Sequence, residues 1–208
     1  IDNCDGSGTV AGVDGPLVGG TCGGTVIRTW TYTDNCGNSA SQTQTITVLD
    51  NIAPVITGLP ANAAVECIGD VPAMVDLSWT DNCDGNGTVT GTDVSDGLSC
   101  PETITRTWTY TDACGNTATV SQTIIVDDTT PPTASNPVSI SVPGPLDVPL
   151  PDPLVVTNEA DNCTLNPVVA WVSDLSDGNV CNLEEITRTY SVTDDCGNHI
   201  LLTHVPYK

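Results

Sequence analysis

The stretch TRTWTYTDACGN at residues 105–116 decides the fold class of this 208-residue chain. Threonine alternates in it with Arg106, Trp108 and Tyr110, so an extended strand would carry large side chains on one face and hydroxyls on the other. The Cys114-Gly115-Asn116 segment is typical of a tight turn, and a second alternating segment follows at 118–127. The pattern predicts a β-hairpin whose aromatic face points into a core.

Copies of this stretch recur along the chain, as IRTWTYTDNCGN at 27–38 and TRTYSVTDDCGN at 187–198. Asp-Asn-Cys triplets at 2–4, 81–83 and 161–163 repeat with the same period of about 80 residues. Six or seven short strands in a repeat of this length, with no helical periodicity, predict tandem immunoglobulin-like β-sandwiches. We expect an incomplete first repeat over 1–50, a complete second repeat over 51–128 and a third over 129–208, joined by stiff Asp/Pro linkers.

The first repeat lacks the segment that precedes the Asp-Asn-Cys triplet in the other two. The sequence is therefore interpreted as a processed piece or a window of a longer protein. If residues 1–50 were the whole repeat, it would have to borrow its early strands from a neighbour by strand addition.

Charge and cysteine content limit the possible partners and the compartment. The net charge is −22 with only four basic residues, which argues against binding to nucleic acid or to an anionic membrane surface. No apolar run approaches the roughly 18 residues of a membrane span. The ten cysteines lack the paired spacing of zinc sites, so disulfides in an extracellular or cell-surface protein are the preferred interpretation.

The cysteine pattern of the middle repeat resembles a known family. Val65-Glu66-Cys67, Asp81-Asn82-Cys83, a lone Cys100 after a Gly/Ser loop and the stretch 106–116 are similar to hyalin repeats, in the cysteine-bearing HYR-like branch found in long surface proteins of Bacteroidota. The resemblance covers the middle repeat and most of the third. It implies an immunoglobulin-like fold and a stalk or adhesion role outside the cell.

Strand geometry restricts the disulfide pairs. Cys100 and Cys114 flank a strand of about nine residues, roughly 30 Å at ~3.3 Å per residue, whereas bonded cysteines have Cα atoms about 6 Å apart. The same argument separates Cys67 from Cys83. Because the two strands run in the same direction in facing sheets of an immunoglobulin-like sandwich, their equivalent ends should meet. The predicted pairs are Cys67–Cys100, Cys83–Cys114, Cys4–Cys36 and Cys163–Cys196, and Cys22 and Cys181 are predicted to be unpaired.

The three arginines lie at equivalent positions, eight residues before the hairpin cysteine, and share a strand face with an aromatic residue. The pairs are Arg28 with Trp30, Arg106 with Trp108, and Arg188 with Tyr190. We expect each guanidinium to stack on a ring and to pair with an aspartate.

Aspartates cluster in the loops and linkers, where carboxylates and carbonyls could supply the six to eight oxygens that Ca²⁺ needs. The candidate ligands are Asp50, Asp81, Asp84, Asp127 and Asp128. The alternative is a solvated, mutually repulsive surface that keeps the protein soluble.

Candidate glycan attachment sites are the sequon residues Asn86 and Asn162, and Thr129 in an Asp-Thr-Thr motif similar to O-glycosylation sites of Bacteroidota. The alternative is that these threonine-rich strands reflect β-propensity alone.

The sequence offers little support for an enzyme. His199 and His204 face opposite sides of a strand, so they cannot jointly bind a metal ion, and neither a nucleophile elbow nor a phosphate loop is present.

We predict a structural extracellular protein, a segment of a surface stalk, adhesin or filament, whose partners are neighbouring repeats or subunits in a possible homopolymer. The alternatives are an adhesin whose loops bind carbohydrate with the help of Ca²⁺, and spacer domains of a larger secreted enzyme.

Overall fold

The computed structural model describes residues 6–20, 22–179 and 184–207, and these residues form an all-β protein. The strands are β1 Val13–Asp14, β2 Gly24–Thr33, β3 Ser39–Val48, β4 Val55–Thr57, β5 Ala63–Val65, β6 Leu77–Asp81, β7 Gly85–Val89, β8 Thr92–Ser95, β9 Glu102–Thr111, β10 Thr117–Val126, β11 Thr133–Ser135, β12 Thr157–Ala160, β13 Val168–Ser176, β14 Ile186–Thr193 and β15 His199–Tyr207. Short 3-10 turns span Ile68–Asp70, Pro145–Asp147 and Pro153–Val155. No described segment forms a helix that is long and apolar enough to cross a membrane.

The strands form five sheets, with orders β1-β2-β3, β4-β6-β7, β5-β10-β9-β8, β11-β12 and β13-β14-β15. The long hairpins β2-β3 and β14-β15 pair antiparallel, and β5 joins β10 in parallel. Multiple sheets of this kind, stapled by disulfides, confirm the predicted disulfide-linked β-sandwich class.

The chain forms two compact units, which are described separately. The first unit contains residues 1–60, 74–92 and 107–121, and the second contains residues 61–73, 93–106 and 122–208. The unit boundary crosses the middle repeat, whose strands β9 and β10 contribute residues to both. The three-repeat division stays a prediction about the sequence.

In the first unit, two sheets contact each other through aromatic rings. Trp79 of β6 stacks on Tyr110 of β9, with ring centroids 3.8 Å apart. Trp108 is fully buried and its Nε1 donates to the Val75 carbonyl at 2.9 Å. Most of β3 is exposed.

The second unit holds two apolar clusters. One contains Ile104, Ile124 and Val126, and the other contains Val156, Tyr190, Val192 and Leu202. On β9 and β14 the buried positions are the even-numbered ones, which confirms the alternation predicted from the sequence.

Candidate metal centres

The hairpin turn of each repeat is built around one aspartate. In the middle repeat, Asp112 Oδ1 accepts the backbone N–H groups of Cys114 and Asn116, both at 2.8 Å, and its Oδ2 accepts the Asn116 amide. Burial opposes the charge of Asp112, but the hydrogen bonds from Asn116, Cys114 and Gly115 together hold the pKa of Asp112 below its ordinary value. Asp34 and Asp194 accept the equivalent two backbone N–H groups in their turns. The Thr-Asp-x-Cys-Gly-Asn motif therefore forms the same hydrogen-bonded turn in all three repeats.

The Asp-Asn-Cys triplet forms a second aspartate-capped turn. Asp81 Oδ1 accepts the N–H groups of Cys83 and Asp84 at 2.8 and 2.9 Å. Asp161 Oδ2 accepts those of Cys163 and Thr164 at 2.9 and 2.8 Å. In each case one carboxylate oxygen accepts the hydrogen bonds of the turn, and the other oxygen has no hydrogen-bond partner.

Each linker contributes a third aspartate. Asp50 Oδ1 accepts the N–H of Ile52 at 3.2 Å, and Asp128 Oδ1 accepts the N–H of Thr130 at 3.1 Å. Both carboxylates are buried, with only 9% and 5% of the residue surface exposed.

These aspartates assemble into two similar clusters. Asp50, Asp81 and Asp112 form the first triad, whose ligand oxygens lie within 4.8 Å of one another. Asp128 and Asp161, with the Cys163 sulfur, meet the same limit. Asp194 caps the hairpin turn equivalent to that of Asp112, and we count it as the third carboxylate of the second triad. Burial raises the pKa of Asp128 against the Thr130 backbone hydrogen bond, and the charges of Asp161 and Asp194 raise it further.

Five of the six carboxylates present a buried oxygen without a hydrogen-bond partner. These atoms are Asp50 Oδ2, Asp81 Oδ2, Asp128 Oδ2, Asp161 Oδ1 and Asp194 Oδ2. Such oxygens are costly in a protein interior unless a cation or donor approaches them.

Sequence reasoning found half of this arrangement. The structure brings the predicted Asp50 and Asp81 together in the first triad and places Asp128 in the second. Asp84 instead accepts the Ala113 N–H at 2.7 Å, and Asp127 belongs to neither triad. Asp112, Asp161 and Asp194 were missed, although their recurrence in the repeated turn motifs was a signal that could have identified them.

The disulfides among the described residues differ from the predicted pairs and connect neighbouring repeats. They are Cys22–Cys114, Cys67–Cys163 and Cys100–Cys196, with Cα separations of 4.8, 5.2 and 5.4 Å and sequence separations of 92, 96 and 96. The predicted pairs Cys67–Cys100, Cys83–Cys114 and Cys163–Cys196 are therefore wrong in this structure, and so is the prediction of an unpaired Cys22. Cys100 is not bonded to Cys114, nor Cys67 to Cys83, as the strand lengths predict. The predicted pairs are wrong because each bonded cysteine has its partner in a neighbouring repeat and not in its own.

Two described cysteines, Cys36 and Cys83, are exposed free thiols. The predicted Cys4–Cys36 pair cannot be compared, since Cys4 lies outside the described residues, as does Cys181. Partial desolvation of the sulfur, followed by the negative charges of Asp50, Asp81 and Asp84, raises the pKa of the Cys83 thiol.

Each arginine pairs with an aspartate of the neighbouring strand. Arg106 binds Asp93 through two hydrogen bonds of 2.8 and 2.9 Å, and Arg188 binds Asp174 through two of 2.8 Å. Both arginines are 3% exposed, whereas the Arg28–Asp14 pair of the first repeat is partly open to solvent. Stacking of each guanidinium on Trp30, Trp108 or Tyr190 stays a prediction.

The predicted glycosylation residues lie in different surroundings. Asn86 is exposed on β7, whereas the sequon of Asn162 ends at Thr164, which is 5% exposed and accepts the Asp195 N–H. The Thr129 hydroxyl donates to Glu66 Oε1 at 3.1 Å. Attachment of glycans at these residues stays a prediction.

The cysteine and aspartate motifs of the first two repeats lie within segments that match a known protein family. A family model described as an HYR-like domain with 4 cysteines matches residues 1–48 and 55–126, which is more than half of the chain. The second match contains all four cysteines of the middle repeat, Cys67, Cys83, Cys100 and Cys114. No curated protein matches the chain. An origin in Bacteroidota stays a prediction.

Proposed function

Because the chain belongs to the family of HYR-like domains with four cysteines, we propose that it is a non-enzymatic structural segment of an extracellular stalk or fibre. Its task is to transmit force along tandem repeats, and its disulfides limit how far the chain extends. The three disulfides fit an oxidising compartment outside the cytoplasm.

The observation that carries this proposal is the overlap of the disulfide spans. Each bond joins positions in consecutive repeats, and the spans 22–114, 67–163 and 100–196 overlap along the chain. A bond within one repeat would strengthen that repeat alone. Bonds between repeats instead limit how far two neighbours can separate when one of them unfolds.

The covalent path that remains under tension is short. It runs from residue 1 to Cys22, across to Cys114, back to Cys100, across to Cys196 and on to residue 208. These pieces have 21, 14 and 12 residue steps, so at ~3.5 Å per step the fully stretched chain spans about 165 Å. Without disulfides, the same 208 residues would span about 725 Å.

The bonding pattern also predicts a role for the free thiols. Cys163 of the third Asp-Asn-Cys triplet pairs with Cys67 of the preceding repeat, and the hairpin cysteines Cys114 and Cys196 pair with Cys22 and Cys100 of their preceding repeats. By this rule Cys83 and Cys36 would bond to a preceding repeat, supplied by the same polypeptide or another copy. Each bond would form from two thiols, whose two protons and two electrons pass to the disulfide of a thiol oxidoreductase, which becomes a dithiol.

Single-molecule pulling between the two ends tests the proposed function. The oxidised chain should stop extending near about 165 Å, and the reduced chain should reach about 725 Å. In a Cys22→Ser/Cys114→Ser variant the shortest path lengthens to about 111 steps, so extension should stop near about 390 Å. The proposal fails if the oxidised wild-type chain extends as far as the reduced chain.

A further inference from the structure

We propose that each aspartate triad binds one Ca²⁺ ion, so that the chain carries two calcium sites, one in each compact unit. This inference does not depend on the mechanical role proposed above. It rests on the geometry of Asp50, Asp81 and Asp112 and of Asp128 and Asp161, and on the buried, unpartnered oxygen of Asp194 at the position equivalent to Asp112.

The distances suit a single ion. Two oxygens bound to one Ca²⁺ at ~2.5 Å lie no more than about 5 Å apart. The ligand atoms of Asp50, Asp81 and Asp112 lie within 4.8 Å of one another, and the same limit holds for Asp128 and Asp161. An ion in either cluster could therefore contact several carboxylates without rearrangement of the turns.

Burial indicates that the triads need a cation. Asp50, Asp128 and Asp194 are at least nine-tenths buried, and each keeps an Oδ2 without a hydrogen-bond partner. Three carboxylates that share a buried site repel one another, and a buried charge without a partner is strongly unfavourable. The arginines cannot compensate this charge in the second unit, since Arg106 and Arg188 are paired with Asp93 and Asp174.

The donor set favours calcium over softer metals. The unpartnered ligand atoms are carboxylate oxygens, which prefer hard cations. The Cys163 sulfur beside the second triad is bonded to Cys67, so it offers no thiolate for zinc. Mg²⁺ requires near-octahedral geometry and keeps its water molecules, whereas Ca²⁺ accepts the irregular arrangement that three turns provide.

The two sites would have the same structural effect. In each, a linker aspartate meets one aspartate of an Asp-Asn-Cys turn and one of a hairpin turn. Asn116 also donates to the Asp50 carbonyl at 3.3 Å, and Asn198 to the Asp128 carbonyl at 2.7 Å, so linker and hairpin are already in contact without an ion. A bound ion would fix the linker to both turns of the repeat that follows it.

Calorimetric titration of the metal-free oxidised protein with CaCl₂ tests this proposal, together with thermal melting in calcium and in chelator. We expect two ions per chain, with affinities in the ~0.1–1 mM range typical of extracellular modules, and a Tm several degrees higher in calcium. MgCl₂ at the same concentration should raise the Tm less. The proposal is overturned if millimolar calcium neither binds nor raises the Tm of the wild-type protein.

Matched variants assign the two sites. Asp81→Asn and Asp161→Asn keep the oxygen that caps each turn while removing the charge, and each should reduce the stoichiometry from two ions to one. Asp127→Asn is the control, because Asp127 is a linker carboxylate outside both triads, and it should still bind two. If both triad variants still bind two ions, calcium binds elsewhere and the assignment is wrong.

Discussion

At the residue scale, His204 of the third repeat is a buried ionisable side chain without a strong hydrogen-bond partner. It is 8% exposed, its Nε2 has no hydrogen-bond partner, and its Nδ1 lies 3.4 Å from the Val138 carbonyl. The surrounding groups are the Tyr190 ring, with centroids 5.9 Å apart, and the Arg188–Asp174 ion pair. Burial lowers the pKa of His204, and Arg188 lowers it further, while the Val138 carbonyl and Asp174 act in the opposite direction.

This environment predicts an acid-sensitive contribution to stability. Since the pKa of His204 is lower in the folded chain than its unfolded value of about 6.5, the unfolded chain binds the proton first as the pH falls. The full contribution is therefore present above about pH 6.5 and is lost as the pH falls through the folded pKa. Denaturant midpoints at pH 7.5 and pH 5 should differ less for His204→Gln than for the wild type. His199→Gln, on the exposed side of β15, should keep the wild-type difference, and an unchanged difference in His204→Gln would contradict this assignment.

At the element scale, the strands follow the alternation of the sequence, and a glycine on the facing segment makes room for the largest side chain. Gly91, between β7 and β8, lies so close to Trp108 that a Cβ at this position would be 2.9 Å from the ring and 2.8 Å from Met74 Sδ. Gly87 has the same relation to Trp79. The alternation along β9 predicts that Trp108 is buried. The need for glycine at position 91 depends on how the two segments pack against each other.

A Gly91→Ala variant should therefore be destabilised by roughly 1–3 kcal/mol, because the ring of Trp108 cannot move without disturbing the core. Guanidinium unfolding followed by tryptophan fluorescence measures the loss. Gly69→Ala is the control, since no atom lies within 4 Å of the corresponding Cβ position, and it should change stability by less than about 0.5 kcal/mol. Equal stability of Gly91→Ala and the wild type would show that the facing segment can move away.

At the scale of the whole molecule, disulfides between repeats replace part of the apolar core that a small sandwich lacks. The two buried apolar clusters of the second unit contain three and four residues, and many large apolar side chains of the described residues are exposed. A disulfide that closes a loop of nearly 100 residues contributes about 4–5 kcal/mol in the chain-entropy model. The described disulfides are therefore a main source of stability.

We expect the Cys100→Ser/Cys196→Ser variant to lose about 4 kcal/mol of unfolding free energy. The denaturation midpoint measures this loss. Cys36→Ser, which removes an exposed free thiol, should leave the midpoint unchanged. Mass-spectrometric mapping of the unreduced protein should recover peptides that join Cys100 to Cys196, and recovery of Cys67 bonded to Cys100 would support pairing within a repeat instead.

The sequence by itself determined the β-class, the repeat, the parity of the strands and the two aspartate turns, because each depends on residues that are neighbours along the chain. Alternation places Arg106 and Trp108 on one face, and Thr-Asp-x-Cys-Gly-Asn closes its own hydrogen bonds wherever it occurs. Only the tertiary structure decided which cysteine bonds to which, and that Asp112 lies beside Asp50 and Asp81. Each repeat carries equivalent cysteines and aspartates. The spacing along the sequence therefore fits a partner in the same repeat as well as one in the next repeat. The packing of segments up to 96 residues apart selects between them.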